Sequence, residues 1–295
     1  MPSAIRCSGV DGLNAKGGTM ASVRTVVGQW IPPALLGLRN KPRTDTRIFG
    51  SYAEALKQCG AGYEAEVITE VVVAKTEVIR VEIEKGRADL DLGALRTLIA
   101  LGFAGQSQPL RVLDFGGAAG FHYFIARATL VAGSLLDWNV VETAAMARAA
   151  SRLANEELSF FSSIGEAAQA LQTPPDLVFA SGVLMCVPDP LETLAELLAL
   201  RAPRVFLTRT GLSPDSTTRI IAQKFTLAEN GPGPLPEGVV DQEVSCPDTF
   251  VPMAEFERVI TSSQYRIVAR IKEDTQVWFA GNMPINQYGY LCELS

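Results

Sequence analysis

From residue 110 onward, short apolar and β-branched runs alternate with longer segments whose apolar positions recur every three or four residues. The pattern predicts strands over 112–115, 138–142, 159–162, 176–181 and 204–210. Helices are predicted between them over 118–131, 143–153, 164–171 and 190–200. Asp189-Pro190-Leu191-Glu192 is a helix start with an Asp cap, Pro at the first helical position and Glu two residues later. Strands that alternate with helices imply a parallel sheet with right-handed crossovers. Residues 211–252 read as a long loop, Gly- and Pro-rich over 230–238. A helix over 256–263 and strands over 265–271 and 289–293 complete a mostly parallel, seven-stranded α/β sheet with helices on both faces.

The segment before residue 110 has a different rhythm. Ser51 with Glu54 has capping-box spacing and begins a helix that Gly60 ends. Over 63–80, Val67, Val71, Ala74 and Val78 form one stripe with Ile68, Val72 and Ile79 beside it, which predicts a helix, with a strand as the competing reading for 71–74. A third helix is expected over 90–102. The chain therefore divides into an arm (1–48, partly mobile), a helical preface or lid (49–105) and a larger α/β domain (106–295). Met1 and Met20 both stand as candidate starts.

The chain has 295 residues and a formal net charge of −6, with no long basic run to suggest nucleic acid or an anionic membrane as partner. No stretch approaches the roughly 20 apolar residues of a membrane span. The five cysteines (Cys7, Cys59, Cys186, Cys246 and Cys292) are scattered and lack Cys-x-x-Cys spacing. They read as free thiols in a reducing, cytoplasmic compartment. His122 is the one histidine, so a His-rich metal centre is excluded and no metal is expected.

Chemistry concentrates at Arg-Val-Leu-Asp-Phe-Gly-Gly-Ala-Ala-Gly, residues 111–120. Gly116, Gly117 and Gly120 follow a buried strand and precede a helix, where a backbone turns sharply and lets a ligand approach. No Gly-Lys-Ser/Thr follows, which disfavours a P-loop. Glu142 ends the second strand and offers an acceptor-only group to a pair of hydroxyls. A dinucleotide-binding dehydrogenase shares this pattern, and that alternative stays open.

Asp114-x-Gly116-x-Ala118-x-Gly120, Glu142 and the strand ending at Ser181-Gly182 together resemble the class I S-adenosylmethionine-dependent methyltransferases over residues 105–295. The resemblance implies that Asp114, Phe115, Gly116, Gly117 and Gly120 bind the cofactor, with Asp114 within reach of its amino group. It places Glu142 on the ribose, Ser162 with Ser163 beside the adenine, and Ser181 and Gly182 near the methionine part. S-adenosyl-L-homocysteine is the implied product. More narrowly, Phe49-Gly50-Ser51-Tyr52, Gly62-Tyr63, Phe115-Gly116-Gly117, Trp138-Asn139-Val140-Val141-Glu142, Thr208-Arg209-Thr210, Thr218-Arg219-Ile220 and Gln223-Lys224 are similar to a bacterial methyltransferase-like family of largely unassigned substrate, often linked to surface-polysaccharide genes.

Direct in-line transfer of a methyl group to an oxygen, nitrogen or carbon of a small molecule is the expected reaction, with a homodimer as a possible assembly. His122, at the start of the helix after the turn, is the candidate base, and a packed helix residue is the alternative. Tyr123 is a candidate contact of the cofactor edge, with packing on the sheet as the alternative, and Tyr63 is a candidate cofactor contact as part of a lid. Arg209 and Arg219 are candidates for holding an anionic substrate, against ordinary salt bridges. A catalytically silent cofactor-binding protein and a nicotinamide-dependent oxidoreductase are the rival functions.

Overall fold

A computed structural model describes residues 47–87, 92–105 and 107–295. The arm expected over 1–48 lies outside the described residues but for its last two. The elements in chain order are α1 (Tyr52–Cys59), a short 3-10 turn (Gly62–Glu64), α2 (Glu66–Glu84), α3 (Leu92–Ala104), β1 (Leu110–Phe115), α4 (Phe121–Thr129), β2 (Leu136–Val141), α5 (Ala144–Ala150), β3 (Leu158–Phe161), α6 (Ile164–Leu171), β4 (Leu177–Ser181), α7 (Pro190–Ala199), β5 (Arg204–Leu212), β6 (Arg219–Thr226), β7 (Glu243–Phe250), α8 (Met253–Ser262), β8 (Tyr265–Ala280) and β9 (Met283–Leu294).

The main sheet has seven strands in the order β3-β2-β1-β4-β5-β9-β8. β1 to β5 run parallel; β9 joins β5 antiparallel, and β8, antiparallel to β9, runs in the direction of β1 to β5 again. This is the expected Rossmann-like methyltransferase fold. The strand period of two sorts its core into two layers. Val112, Val140, Phe179 and Phe206 face α2, α3, α4 and α5, while Leu113, Val178, Ala180 and Val205 face α6, α7 and α8. Asp176 fixes the start of β4 by accepting the Arg111 N–H at 2.8 Å. Chain order reverses between β1 and β4, and a ligand crevice opens at such a switch point, outside the carboxyl ends of the strands.

Two expectations are corrected. The loop expected over 211–252 contains an antiparallel hairpin, β6 with β7, separate from the main sheet. It is held in place by the preface: the Phe49 N–H donates to the Ile220 carbonyl at 2.9 Å, and Phe49, Ala55 and Ala222 form a small apolar cluster. The face of α2 is also rotated from the expected stripe. Ile68, Val72, Lys75 and Thr76 are buried, and Val78 is exposed. Buried Lys75 donates to the carbonyls of Ala228 at 3.0 Å and Asn230 at 2.6 Å, which secures the β6–β7 connection against α2. Gly231 fits there because a Cβ would stand 3.1 Å from Val72.

Candidate active site

The glycine turn rests on Asp114. This carboxylate is fully buried, accepts the Trp138 indole N–H at 3.0 Å and lies 3.0 Å from His122 Nδ1. A Cβ on Gly117 would stand 2.5 Å from Asp114 Cγ, so only glycine lets the turn settle there. A Cβ on Gly116, whose φ is +72°, would meet the Val183 side chain at 2.8 Å. The turn is bare backbone at the mouth of the crevice, as the motif implied. Asp114 itself is fully buried and packs under the turn, with Gly117 directly over its carboxylate.

His122 shares this arrangement. Its ring lies 4.6 Å from Phe179 between centroids, and Nδ1 faces the Asp114 carboxylate. The geometry makes it a positioning residue beside the turn. Tyr123 takes the second of its two expected places, on the sheet. One residue along a helix is a turn of about 100°, so its ring packs edge-on to Trp138 and its hydroxyl donates to Glu157 at 3.0 Å. Glu157 precedes β3, at the end of the sheet opposite the crevice.

Glu142 ends β2 with each oxygen taking one backbone N–H: Ala118 on Oε1 at 2.9 Å and Thr143 on Oε2 at 3.0 Å. Ala118 adopts φ +51°, uncommon for a residue with a side chain, and thereby aims its N–H at Glu142. Each oxygen keeps a further lone pair. Burial pushes the carboxyl up to about 7; the two N–H donors oppose the shift, and Asp114 and Glu64 add to it. Glu64 belongs to the preface, so the preface contributes to the electrostatic surroundings of Glu142.

Ser162 lies at the end of β3 as expected, with its hydroxyl engaged by Glu166 Oε2 at 2.8 Å in the cap of α6. Ser181 ends β4 beside Thr208. Phe115 sends its ring into the layer under α6 and α7, and its backbone leads into the turn. Tyr63 stacks on Phe225 and lies with its hydroxyl 3.2 Å from Cys186 Sγ, beyond Gly182. The Cys186 Sγ also lies 3.4 Å from Asp248 Oδ1. Burial raises both the Tyr63 hydroxyl and the Cys186 thiol well above their usual ranges, and it raises the Asp248 carboxyl to about 8.

The two candidate arginines separate. Arg219 forms a two-pronged ion pair with Asp215 at 2.7 Å and also donates to the Thr217 carbonyl. Its fork is committed to its own turn, which removes it as a substrate anchor. Arg209 opens into the crevice. β5 carries an extra residue between Leu207 and Thr210 relative to β9, and Arg209 on this bulge has φ +54°. The bulge re-aims the side chain over Gly182. A Cβ on Gly182 would stand 2.6 Å from Arg209 Nε.

Glu273 and Arg96 were not legible in the sequence. Glu273 Oε1 accepts the Arg209 backbone N–H at 2.8 Å and the Thr208 hydroxyl. Its Oε2 pairs with Arg96, 2.7 Å from one terminal nitrogen and 2.8 Å from Nε. Gly289 leaves room for Glu273, since a Cβ there would stand 3.0 Å from Oε1. A separate open recess of about 420 Å³ lies between the 3-10 turn and the β6–β7 hairpin, away from the glycine turn, and its Lys224 and Glu243 pair with each other at 3.3 Å. Among the described residues no cluster of potential metal ligands occurs, and no helix is long and apolar enough to cross a membrane.

No protein-family model matches the chain, and no curated protein does either. Among solved structures, the chain is similar to the N-terminal domain of EvdMO1 with S-adenosylhomocysteine bound: 12% identity over 70% of this chain and 82% of that one, TM-score 0.45. The CcbJ methyltransferase from Streptomyces caelestis gives 12% identity over 70% and 97%, TM-score 0.45. A Burkholderia thailandensis 1,6-didemethyltoxoflavin-N1-methyltransferase, with 1,6-didemethyltoxoflavin and S-adenosylhomocysteine bound, gives 15% identity over 76% and 88%, TM-score 0.42. Nothing in these comparisons bears on a link to surface-polysaccharide genes.

Proposed function

We propose that the chain is an S-adenosylmethionine-dependent methyltransferase acting on a small molecule by direct in-line transfer. The observation that carries this reading is Glu142. It ends β2 beside the glycine turn, is oriented by two backbone N–H groups, and retains one lone pair on each oxygen for the two hydroxyls of a ribose. The residues present fit such a cofactor. Glu142 holds the ribose, the bare backbone of residues 116–120 lets the adjoining part approach, and Gly182 leaves room for Arg209 over the end of β4.

When bound, the cofactor supplies a methyl group already activated by the positive charge on sulfur. The protein's task is alignment and exclusion of water. Asp114, Trp138 and His122 hold the turn from beneath. Tyr63 and the rest of the preface border the crevice from above, where Glu64 approaches Glu142. An acceptor that arrives ionised needs no base from the chain. One that keeps its proton gives it up to solvent water as the new bond to carbon forms and the carbon–sulfur bond breaks.

Calorimetric titration with S-adenosylmethionine, S-adenosylhomocysteine and NAD tests the reading. Micromolar binding of the first two, lost in Glu142→Ala, is the expected result. Binding of NAD instead, or of none of the three by a folded protein, overturns it. Methyl transfer to any acceptor eliminates the catalytically silent alternative.

A further inference from the structure

Arg209 is a cation without a hydrogen-bonded counter-ion over Gly182, at the end of β4. It is exposed to solvent, yet enough protein surrounds its guanidinium that desolvation lowers its proton affinity. Its fork has no hydrogen-bond or ion-pair partner among the described residues. Glu273 is near enough to neutralise it but is committed elsewhere: Oε2 to Arg96, and Oε1 to the Thr208 hydroxyl and the Arg209 backbone. Arg96, Arg209 and one carboxylate leave a surplus of one positive charge.

Among the described residues, the other groups around the fork do not supply a negative charge near neutral pH. Tyr63 and Cys186 are held in their neutral forms by burial, and Asp248, bonded to Cys186, is held largely protonated below about 8. The arrangement also has a structural cost. A residue with a side chain occupies the left-handed region at φ +54°, a conformation that persists only where its surroundings impose it. Here the bulge in β5, the space left by Gly182 and Gly289, and the Glu273 bond to the Arg209 N–H together impose it. The result of all four is one side chain directed over the end of β4.

We propose that Arg209 seats an oxyanion of the methyl acceptor, so that the substrates are acidic small molecules bearing a carboxylate or a phosphate. A guanidinium fork matches either group with two parallel hydrogen bonds. The assignment to the acceptor rests on the methyltransferase reading. Glu142 at the end of β2 marks the ribose side, and Arg209 belongs to β5, three strand positions away in the order β2-β1-β4-β5. The seat is therefore on the acceptor side of Gly182.

The test titrates sodium benzoate and inorganic phosphate into the free and the S-adenosylhomocysteine-loaded protein at constant ionic strength, set with sodium chloride. Wild type, Arg209→Gln, Arg209→Lys and the control Arg266→Gln are compared; Arg266 pairs with Glu293 on the far edge of the sheet. Saturable anion binding is expected in wild type and the control, weakened by about tenfold or more in Arg209→Gln, the loss of a charged hydrogen-bonded pair. Arg209→Lys, which keeps the charge without the fork, falls between. Affinity for S-adenosylhomocysteine stays within about twofold throughout, since none of these changes touches Glu142.

Absence of saturable anion binding in wild type, or its retention in Arg209→Gln, overturns the seat. A loss of S-adenosylhomocysteine affinity in Arg209→Gln by about tenfold, the effect of one lost charged contact, assigns the fork to the cofactor's own carboxylate and overturns the assignment to the acceptor. Wild-type protein that binds anions at Arg209 but not S-adenosylhomocysteine overturns the methyltransferase reading and leaves the seat standing.

Discussion

Gly117 and Asp114 occupy one another's space: a Cβ on the glycine would stand 2.5 Å from the carboxylate carbon. The carboxylate cannot swing aside, because Trp138 and His122 hold it from two directions. Gly117→Ala therefore displaces the turn or breaks this network. The expected loss is about 1–3 kcal/mol of stability, the usual range for overpacking, with S-adenosylhomocysteine binding weakened at the same time. Gly165 in α6 has nothing within 4 Å of its Cβ position. Gly165→Ala is expected to be neutral or to stabilise by a few tenths of a kcal/mol, roughly. Urea unfolding of the two variants checks the contrast, and equal losses would remove the argument from contact.

Glu142 gives the site a pH dependence. Its carboxyl titrates at about 7 in the empty site, and the ionised form is the better acceptor for two hydroxyls. Affinity for S-adenosylhomocysteine should then be flat above pH 8 and fall about tenfold by pH 6, as protonation competes. Glu142→Gln should bind weakly and lose this pH dependence. The same carboxyl acts on folding with the opposite sign. The unfolded chain releases the proton near the ordinary value of 4.5 and the folded protein holds it to about 7. Its contribution to stability is complete below pH 4.5 and is lost as the pH rises to 7. A wild-type affinity that does not change between pH 6 and pH 8 would contradict the titration.

The parts of the site that lie within one stretch of chain were legible. The turn at 116–120, Glu142, and the caps at Ser51 and Asp189 depend on neighbours a few residues away. What escaped notice depends on distant pairs. Glu273 sits in a charged stretch of β8 that reads as a solvent face, and its partner Arg96 is 177 residues away. The β6–β7 hairpin escaped because a 16-residue Gly- and Pro-rich connection, 227–242, replaces a tight turn. β6 also buries parts of both faces under α1 and Phe49, so it lacks simple alternation. Lys75 did leave a signal, since it lies four residues after Val71 on a predicted apolar stripe. Tyr123 left two places open because the sequence shows that a ring sits near the turn without showing which way the helix rotates it.

Lys75 should matter more than a lysine on a helix ordinarily does. Its ammonium serves the carbonyls of residues 228 and 230, and desolvation lowers its proton affinity. Lys75→Met keeps the apolar stem and leaves those carbonyls unpaired, at a cost of about 1–3 kcal/mol. The damage should be local. Limited proteolysis is expected to cut within 231–238 faster than in wild type, while the far-ultraviolet circular dichroism stays the same. Unchanged cleavage there would mean that Gly231 and Gly233 hold the connection on α2 without the lysine.

Glu273 should be the more consequential member of the arginine cluster for folding. Replacing it with glutamine removes the one carboxylate that Arg96 and the Arg209 backbone share, and leaves the two arginines without it. Breaking a buried pair from one side costs about 3–5 kcal/mol, and Glu273→Gln is expected at the lower end because Arg96 keeps some access to solvent. Arg209→Gln removes a charge with no partner among the described residues and should change stability little or raise it. The two effects are coupled. Adding Arg209→Gln to Glu273→Gln relieves the repulsion between the arginines, so the double variant should be more stable than the sum of the single changes. A double-mutant cycle by urea unfolding measures that difference. A cycle that closes to zero would mean that the Glu273 carboxylate and the Arg209 guanidinium do not sense one another.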